Sequence, residues 1–150
     1  MTAACSVANS AVADWMTTHP TAVDMDTQLG AIHQLMTEHG FHHVLVTDAG
    51  CVVGIISDRD VLRSLSPRAL KERLATASDI ATLNKRAHQI MSRTLISVQP
   101  SSSMPEAAAL MLEHHINCLP VIEAGTCHGV LTAADLLRWC VEVTGHPEAA

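Results

Sequence analysis

An α+β fold made of two copies of one β-α-β-β-α unit, packed with pseudo-twofold symmetry inside the chain, is predicted by three observations. The chain matches itself without a gap at an offset of 75 residues, Met16 to Arg63 against Met91 to Arg138. The matches include Met16 with Met91, Val23 with Val98, Leu35-Met36 with Leu110-Met111, Gly54 with Gly129, Asp60 with Asp135 and Leu62-Arg63 with Leu137-Arg138. A period of this size used twice means two copies of a supersecondary unit, not a solenoid. Each copy also holds two β-rich runs, closely joined at a glycine-containing turn, between helical patterns. Finally, a three-stranded sheet covered by helices on one side leaves its other face open, so the two copies must bury those faces together.

In the first copy HPTAV (19–23) is a short extended stretch. From Thr27 the apolar residues Leu29, Ile32, Leu35 and Met36 form the stripe of an amphipathic helix, ended by Gly40 as a C′ glycine. FHHVLVT (41–47), a turn at Asp48-Ala49-Gly50 and CVVGIIS (51–57) read as an antiparallel hairpin, and Asp58 to Leu65 as a second helix. The second copy repeats this order. ISV (96–98) is its short strand, and Ser103-Met104-Pro105-Glu106 opens its helix with a hydroxyl N-cap, an early proline and a glutamate at N3. CLPVI (118–122), a turn through Gly125, GVL and a helix from Ala133 follow. The repeats are placed at 12–66 and 87–143, and the charged, helix-prone stretch between them, 67–86, is a helical connector.

Composition narrows the function. The 150 residues suit one domain or two small units sharing a core, and a hydrophobic content of 48% can fill that core. A net charge of −6, with nine Lys and Arg spread along the chain, argues against nucleic acid as a partner. No apolar run approaches the ~18 to 20 residues that cross a bilayer, and MTAACSVANSAVADWM has neither a basic leader nor a long apolar stretch. The expected setting is therefore cytoplasmic, with no membrane partner. Five scattered cysteines without a C-x-x-C pair suggest reduced, mostly buried thiols.

GIISDRD (54–60) and GVLTAAD (129–135) carry the chemistry. Ser57 with Asp60, and Thr132 with Asp135, are spaced as an N-cap hydroxyl and a first-turn acid, which would stabilise any helix by about 1 kcal/mol without a ligand. The same geometry also suits a nucleotide. A helix N-terminus offers free N–H groups to phosphate, an aspartate one turn in can accept from the 2′ and 3′ hydroxyls of a ribose, and glycine permits close approach.

The whole repeat resembles a tandem pair of CBS domains, the cystathionine-β-synthase-type or Bateman module, over about residues 12 to 143. The resemblance rests on WMTTHPTAV with IMSRTLISV, HHVLV with CLPVI, and GIISDRD with GVLTAAD, in one duplicated order. It implies a stand-alone regulatory module, not an enzyme, that binds AMP, ADP, ATP, an NAD-type nucleotide or S-adenosylmethionine in clefts between the repeats. The adenine nucleotide is then a regulatory ligand, and no other cofactor is expected. Carried over by position, Ile55, Ser57 and Asp60 would join Thr94, Leu95, Ile96, Asn117, Cys118 and Pro120. Val130, Thr132 and Asp135 would join His19, Pro20, Ala22, His42, His43 and Leu45. A homodimer with its repeats arranged in a disc, and a regulated partner not encoded here, complete the expectation.

Departures from symmetry bear on the ligand. Arg59 can offer a guanidinium near the phosphate position, where the second motif has Ala133 and Ala134, which favours the Asp60 cleft. The competing reading of Arg59 is a solvated surface charge. Leu45, where the other repeat has Pro120, weakens the Asp135 cleft. With no Tyr, one Phe and two Trp, the base would meet aliphatic walls (Ile55, Val130, Ile96, Leu45), while Trp15 and Trp139 are assigned to packing or a dimer contact.

Two other functions compete. In one, the module is a dimerisation scaffold with vestigial clefts. In the other, the ten histidines, notably His39, His42, His43 and the His114-His115 pair, hold a metal. Adjacent histidines on a strand point to opposite faces, and no carboxylate or cysteine completes a zinc pattern, which disfavours the metal. No nucleophile elbow, HExxH or glycine-rich dinucleotide fingerprint is present.

Overall fold

The structure, a computed structural model, describes residues 10–71 and 73–145. A 3-10 turn (Val12–Asp14) precedes β1 (Thr17–Thr18), β2 (Ala22–Asp24), helix α1 (Leu29–His39), β3 (His43–Asp48), β4 (Cys51–Ser57) and α2 (Asp58–Ser64). Then come α3 (Ala77–Leu83), α4 (Ala87–Ile90), α5 (Met104–His114), β5 (Cys118–Glu123), β6 (Thr126–Thr132) and α6 (Ala133–Thr144). These fall into two compact units: a central one, Thr21–Leu95, and a terminal one joining the chain up to Pro20 with the chain from Ile96 onward.

In the central unit β3 lies in the middle of the sheet, parallel to β2 and antiparallel to β4. Val44, Val46 and Ile56 point from the sheet toward Leu29, Ile32 and Met36 of α1 and Val61 of α2, and together they form the core. Alternation along a strand puts Leu45, Ile55 and Ser57 on the opposite face. In the terminal unit β6 is the middle strand, between β1 and β5. Leu119, Val121 and Leu131 pack with Met104, Ala107 and Met111 of α5 and Trp139 of α6.

Both hairpins close through two-residue turns with positive φ at each position, Ala49 (47°) with Gly50 (83°) and Ala124 (49°) with Gly125 (78°). That is the type I′ geometry, whose twist matches the strands it joins. Each hairpin also has an irregularity at the same place, Val46/Thr47 and Val121/Ile122. Gly40 ends α1 in the left-handed conformation, as its position predicts. The residue-level duplication therefore continues into backbone geometry.

The compact units differ from the sequence copies in one exchange. β1, which leads into the first copy, pairs with β6 of the second, Thr17 opposite Val130 and Thr18 opposite Gly129. Reciprocally, Ser92, which leads into the second copy, bonds both ways with Ile55 of β4. ISV (96–98), expected as a strand, forms a single parallel bridge from Val98 to Val121, because the chain turns at Gln99–Ser102 immediately afterwards. Among its described residues, the stretch from 67 to 86 holds one seven-residue helix, α3, with turns on either side.

Hydrogen bonds from Ser66 and then Thr76 hold the Asp79 carboxyl at the start of α3 down to about 2, against 3.8 ordinarily. A depressed carboxyl contributes stability in full above its unfolded-state value and loses it as pH falls through the folded one. Amide protection at Thr76–Asp79 should therefore decline between about pH 4 and pH 2. Unchanged hydrogen exchange across that window would show that the cap does not need the carboxylate.

The cysteines correct one expectation. Of the four described, only Cys118 is buried; Cys127 is partly buried, and Cys51 and Cys140 are exposed. Cys51 sits at the start of β4, beside the hairpin turn, and Cys140 on the solvent side of α6. Cys5 lies outside the described residues. Burial, with a smaller push from the Asp135 charge, raises the Cys118 thiol to about 12, which keeps it protonated and unreactive.

Candidate functional site

The glycine of each motif is required by the exchanged segments. A Cβ on Gly129 would collide with the Thr17 carbonyl oxygen and lie 3.2 Å from Met16 Sδ. One on Gly54 would collide with Met91 Sδ and sit 3.0 Å from the Ser92 carbonyl. Each motif strand is thus pressed edge to edge against the lead-in of the other sequence copy, and only a residue without a side chain fits.

Both motifs end in the same cap. Ser57 accepts from the Asp60 N–H (3.2 Å), while the Ser57 N–H and Oγ–H both donate to Asp60 Oδ2 at 2.8 Å. Thr132 accepts from the Asp135 N–H (3.4 Å) and donates from its N–H and Oγ1–H to Asp135 Oδ2, at 2.9 and 3.0 Å. The carboxylates then differ. Among the described residues Asp60 Oδ1 receives no hydrogen bond, whereas Asp135 Oδ1 accepts from Arg138 Nη1 at 3.1 Å. Asp135 is also the more deeply placed, its side chain 5% exposed.

The central unit holds Ile55, Ser57, Arg59 and Asp60 together with Thr94 and Leu95, the continuation of the segment bonded to β4. It also holds Ala22, His42, His43 and Leu45, with His43 opposite Ser57, and Leu45 between Ile55 and Ala22. The terminal unit holds Val130, Thr132 and Asp135 with His19 and Pro20, just beyond β1. Ile96, Asn117, Cys118 and Pro120 belong to it too, with Cys118 opposite Thr132 and Pro120 opposite Val130. Each predicted set therefore draws members from both units. Arg59 is exposed, and His19 takes a positive φ of 55° at the end of its segment.

Two features went unread in the sequence. One is Arg138, visible there only as a match to Arg63. The other is a cavity of about 310 Å³ in the central unit, lined by Met36, Phe41, Val61 and Leu62 with His33, Thr37, His42 and Asp58 at polar positions. His42 is the one predicted residue that lines it. His42 Nδ1 lies 2.9 Å from Asp58 Oδ2, and this hydrogen bond is the largest cause of a lowered Asp58 carboxyl. No three His, Cys, Asp or Glu side chains converge as a metal site among the described residues. Trp139 is core, its indole N–H buried without a hydrogen-bond partner among the described residues. No helix among the described residues is long and apolar enough to cross a membrane.

Comparison with known proteins agrees with this architecture. CBS domain-containing protein YhcV of Bacillus subtilis is 27% identical over 127 residues, covering 85% of this chain and 83% of that protein. The chain spans less than half the length of some of the other curated relatives it matches, such as MJ1225 of Methanocaldococcus jannaschii, of which it covers 47% at 24% identity. Among solved structures, CBSX2 in complex with AMP superposes with a TM-score of 0.75 at 26% identity, covering 91% of this chain and 99% of that one. The CBS domain of a CBS domain-containing membrane protein from Sphaerobacter thermophilus does so with a TM-score of 0.75 at 29% identity, covering 91% of each chain. The sequence profile of the CBS domain matches residues 12–67 and 87–142, and the chain belongs to the CBS-domain family.

Proposed function

We propose that this chain is a regulatory module, not a catalytic one, that binds an adenosine-type ligand of the AMP class and passes its ligand state to a partner protein. The observation that carries this reading is the Asp60 carboxylate: one oxygen closes the helix cap and the other is unengaged among the described residues, beside the Ser57 hydroxyl. An ionised carboxylate has about four acceptor positions, so two remain for a ribose diol. The AMP complex of CBSX2, at 26% identity, supports the ligand class. Ile55, Thr94, Leu95, Ile96, Asn117, Cys118 and Pro120 are the residues proposed to bind ligand with Asp60, and Arg59 would supply charge for the phosphate. Val130, Thr132, His19, Pro20, Ala22, His42, His43 and Leu45 are those proposed to do so with Asp135. Ligand would act by favouring one arrangement of the repeats, which the partner reads as a population shift. A cytoplasmic setting suits such a ligand.

A panel of AMP, ADP, ATP, NAD and S-adenosylmethionine tests the ligand class by thermal shift. A ligand at 100 times its Kd should stabilise by about 2.7 kcal/mol, and a flat response to all five would reject the reading in favour of a ligand-free scaffold.

The module is further proposed to pair with a second copy. Leu62 and Leu137, at equivalent positions on the last helix of each repeat, are 66% and 67% exposed, so both repeats present an apolar side chain to solvent at the same place. Leu62→Asp with Leu137→Asp should convert a dimer to a monomer in light scattering after size-exclusion chromatography. An unchanged mass would place the interface elsewhere.

A further inference from the structure

The two motifs carry the same Asp and Arg three residues apart, Asp60 with Arg63 and Asp135 with Arg138, yet they use them differently. Arg138 lies within the 12-residue helix α6, where an i,i+3 pair shares one face, and its guanidinium donates to Asp135 Oδ1. Arg63 lies in the last turn of α2, from which the chain departs in an extended conformation at Leu65, and Asp60 forms no ion pair among the described residues. Counting acceptors separates the two carboxylates. Asp60 gives two of its roughly four positions to the cap; Asp135 gives two to the cap and one to Arg138, leaving one. A vicinal diol donates twice.

We propose that Arg138 sets how many nucleotides one chain holds. By occupying Asp135 Oδ1, it withholds the second acceptor that a ribose needs, so the Asp60 cleft fills and the Asp135 cleft stays empty until Arg138 lets go. The pair is suited to this role because the arginine is accessible, its side chain 61% exposed, while the carboxylate it covers is not. Arg138 is thus a specificity-determining residue that acts through Asp135. This inference rests on the proposed ribose-binding role of the motif.

Calorimetric titration of the full chain with AMP tests it. The wild type should bind one AMP per chain, with that event weakened roughly ten- to a hundredfold by Asp60→Ala. Arg138→Ala and the more conservative Arg138→Gln should each bind two, the second event at least tenfold tighter than any residual wild-type second binding and removed by adding Asp135→Ala. Arg138→Lys, which keeps a cation, should stay at one, a distinction that mere loosening of α6 would not produce. If both neutral variants remain at one AMP, or the wild type binds two with equal affinity, the Arg138 inference is overturned and the nucleotide-binding reading stands. If neither the wild type nor any variant binds AMP, the Arg138 inference is overturned, and the adenosine-ligand reading falls with it only if ADP, ATP, NAD and S-adenosylmethionine also give no thermal shift.

Discussion

Asp60→Ala is expected to weaken AMP binding roughly ten- to a hundredfold, since charge-assisted hydrogen bonds of this kind contribute about 1.5 to 3 kcal/mol. The alanine variant also loses its half of the capping box, so a stability cost of about 1 kcal/mol should accompany the loss of binding. Asp60→Asn separates the two effects: the amide oxygen can still accept from the Ser57 N–H, whereas the negative charge and the second acceptor oxygen are gone. Titration of the two variants should therefore show binding weakened in both, and denaturation should show stability lost mainly in the alanine. Wild-type affinity in Asp60→Ala would remove the carboxylate from the site and leave the motif as a helix cap alone.

Gly129→Val should be the most destabilising single change at the two motifs. The new Cβ would meet the Thr17 carbonyl, a main-chain atom held in place by the pairing of β1 with β6. Overpacking of this kind typically costs about 1 to 3 kcal/mol, and more where the neighbour cannot move. Gly54→Val should cost less, because its first neighbour is the flexible thioether of Met91, although the Ser92 carbonyl stands close behind at 3.0 Å. Urea denaturation should give a lower midpoint for both, with the valine at 129 the worse. Equal stability of Gly129→Val and wild type would mean that β1 does not hold its place against β6 in solution.

Much of this architecture was legible because it is encoded locally. The hairpin turns announce themselves through Ala-Gly pairs that supply two positive φ angles, and the helix starts through Ser57, Ser103 and Thr132, whose side chains cap the N–H groups three residues on. The gapless offset of 75 residues made the doubling plain. The cavity beside His42 was not legible, since its lining comes from α1, the loop before β3 and α2, with no shared spacing. The exposed cysteines were misjudged because composition carries no information about which side of a strand or helix a thiol occupies.

By itself, then, the sequence determined the two repeat copies, their hairpins, their caps and the candidate carboxylates, most of which depend on torsions and hydrogen bonds within a few residues. Only the tertiary structure decided that β1 and the Ser92 segment cross to the opposite copy, that Gly54 and Gly129 are glycines because backbone lies against them, and that Asp135, unlike Asp60, is held by its arginine. The first two outcomes turn on which distant segment lies across a strand edge, and such contacts join residues far apart in the chain and impose no periodicity on either partner. The third is local, but Asp60 with Arg63 and Asp135 with Arg138 share one spacing, so only the placement of the arginine side chain tells them apart.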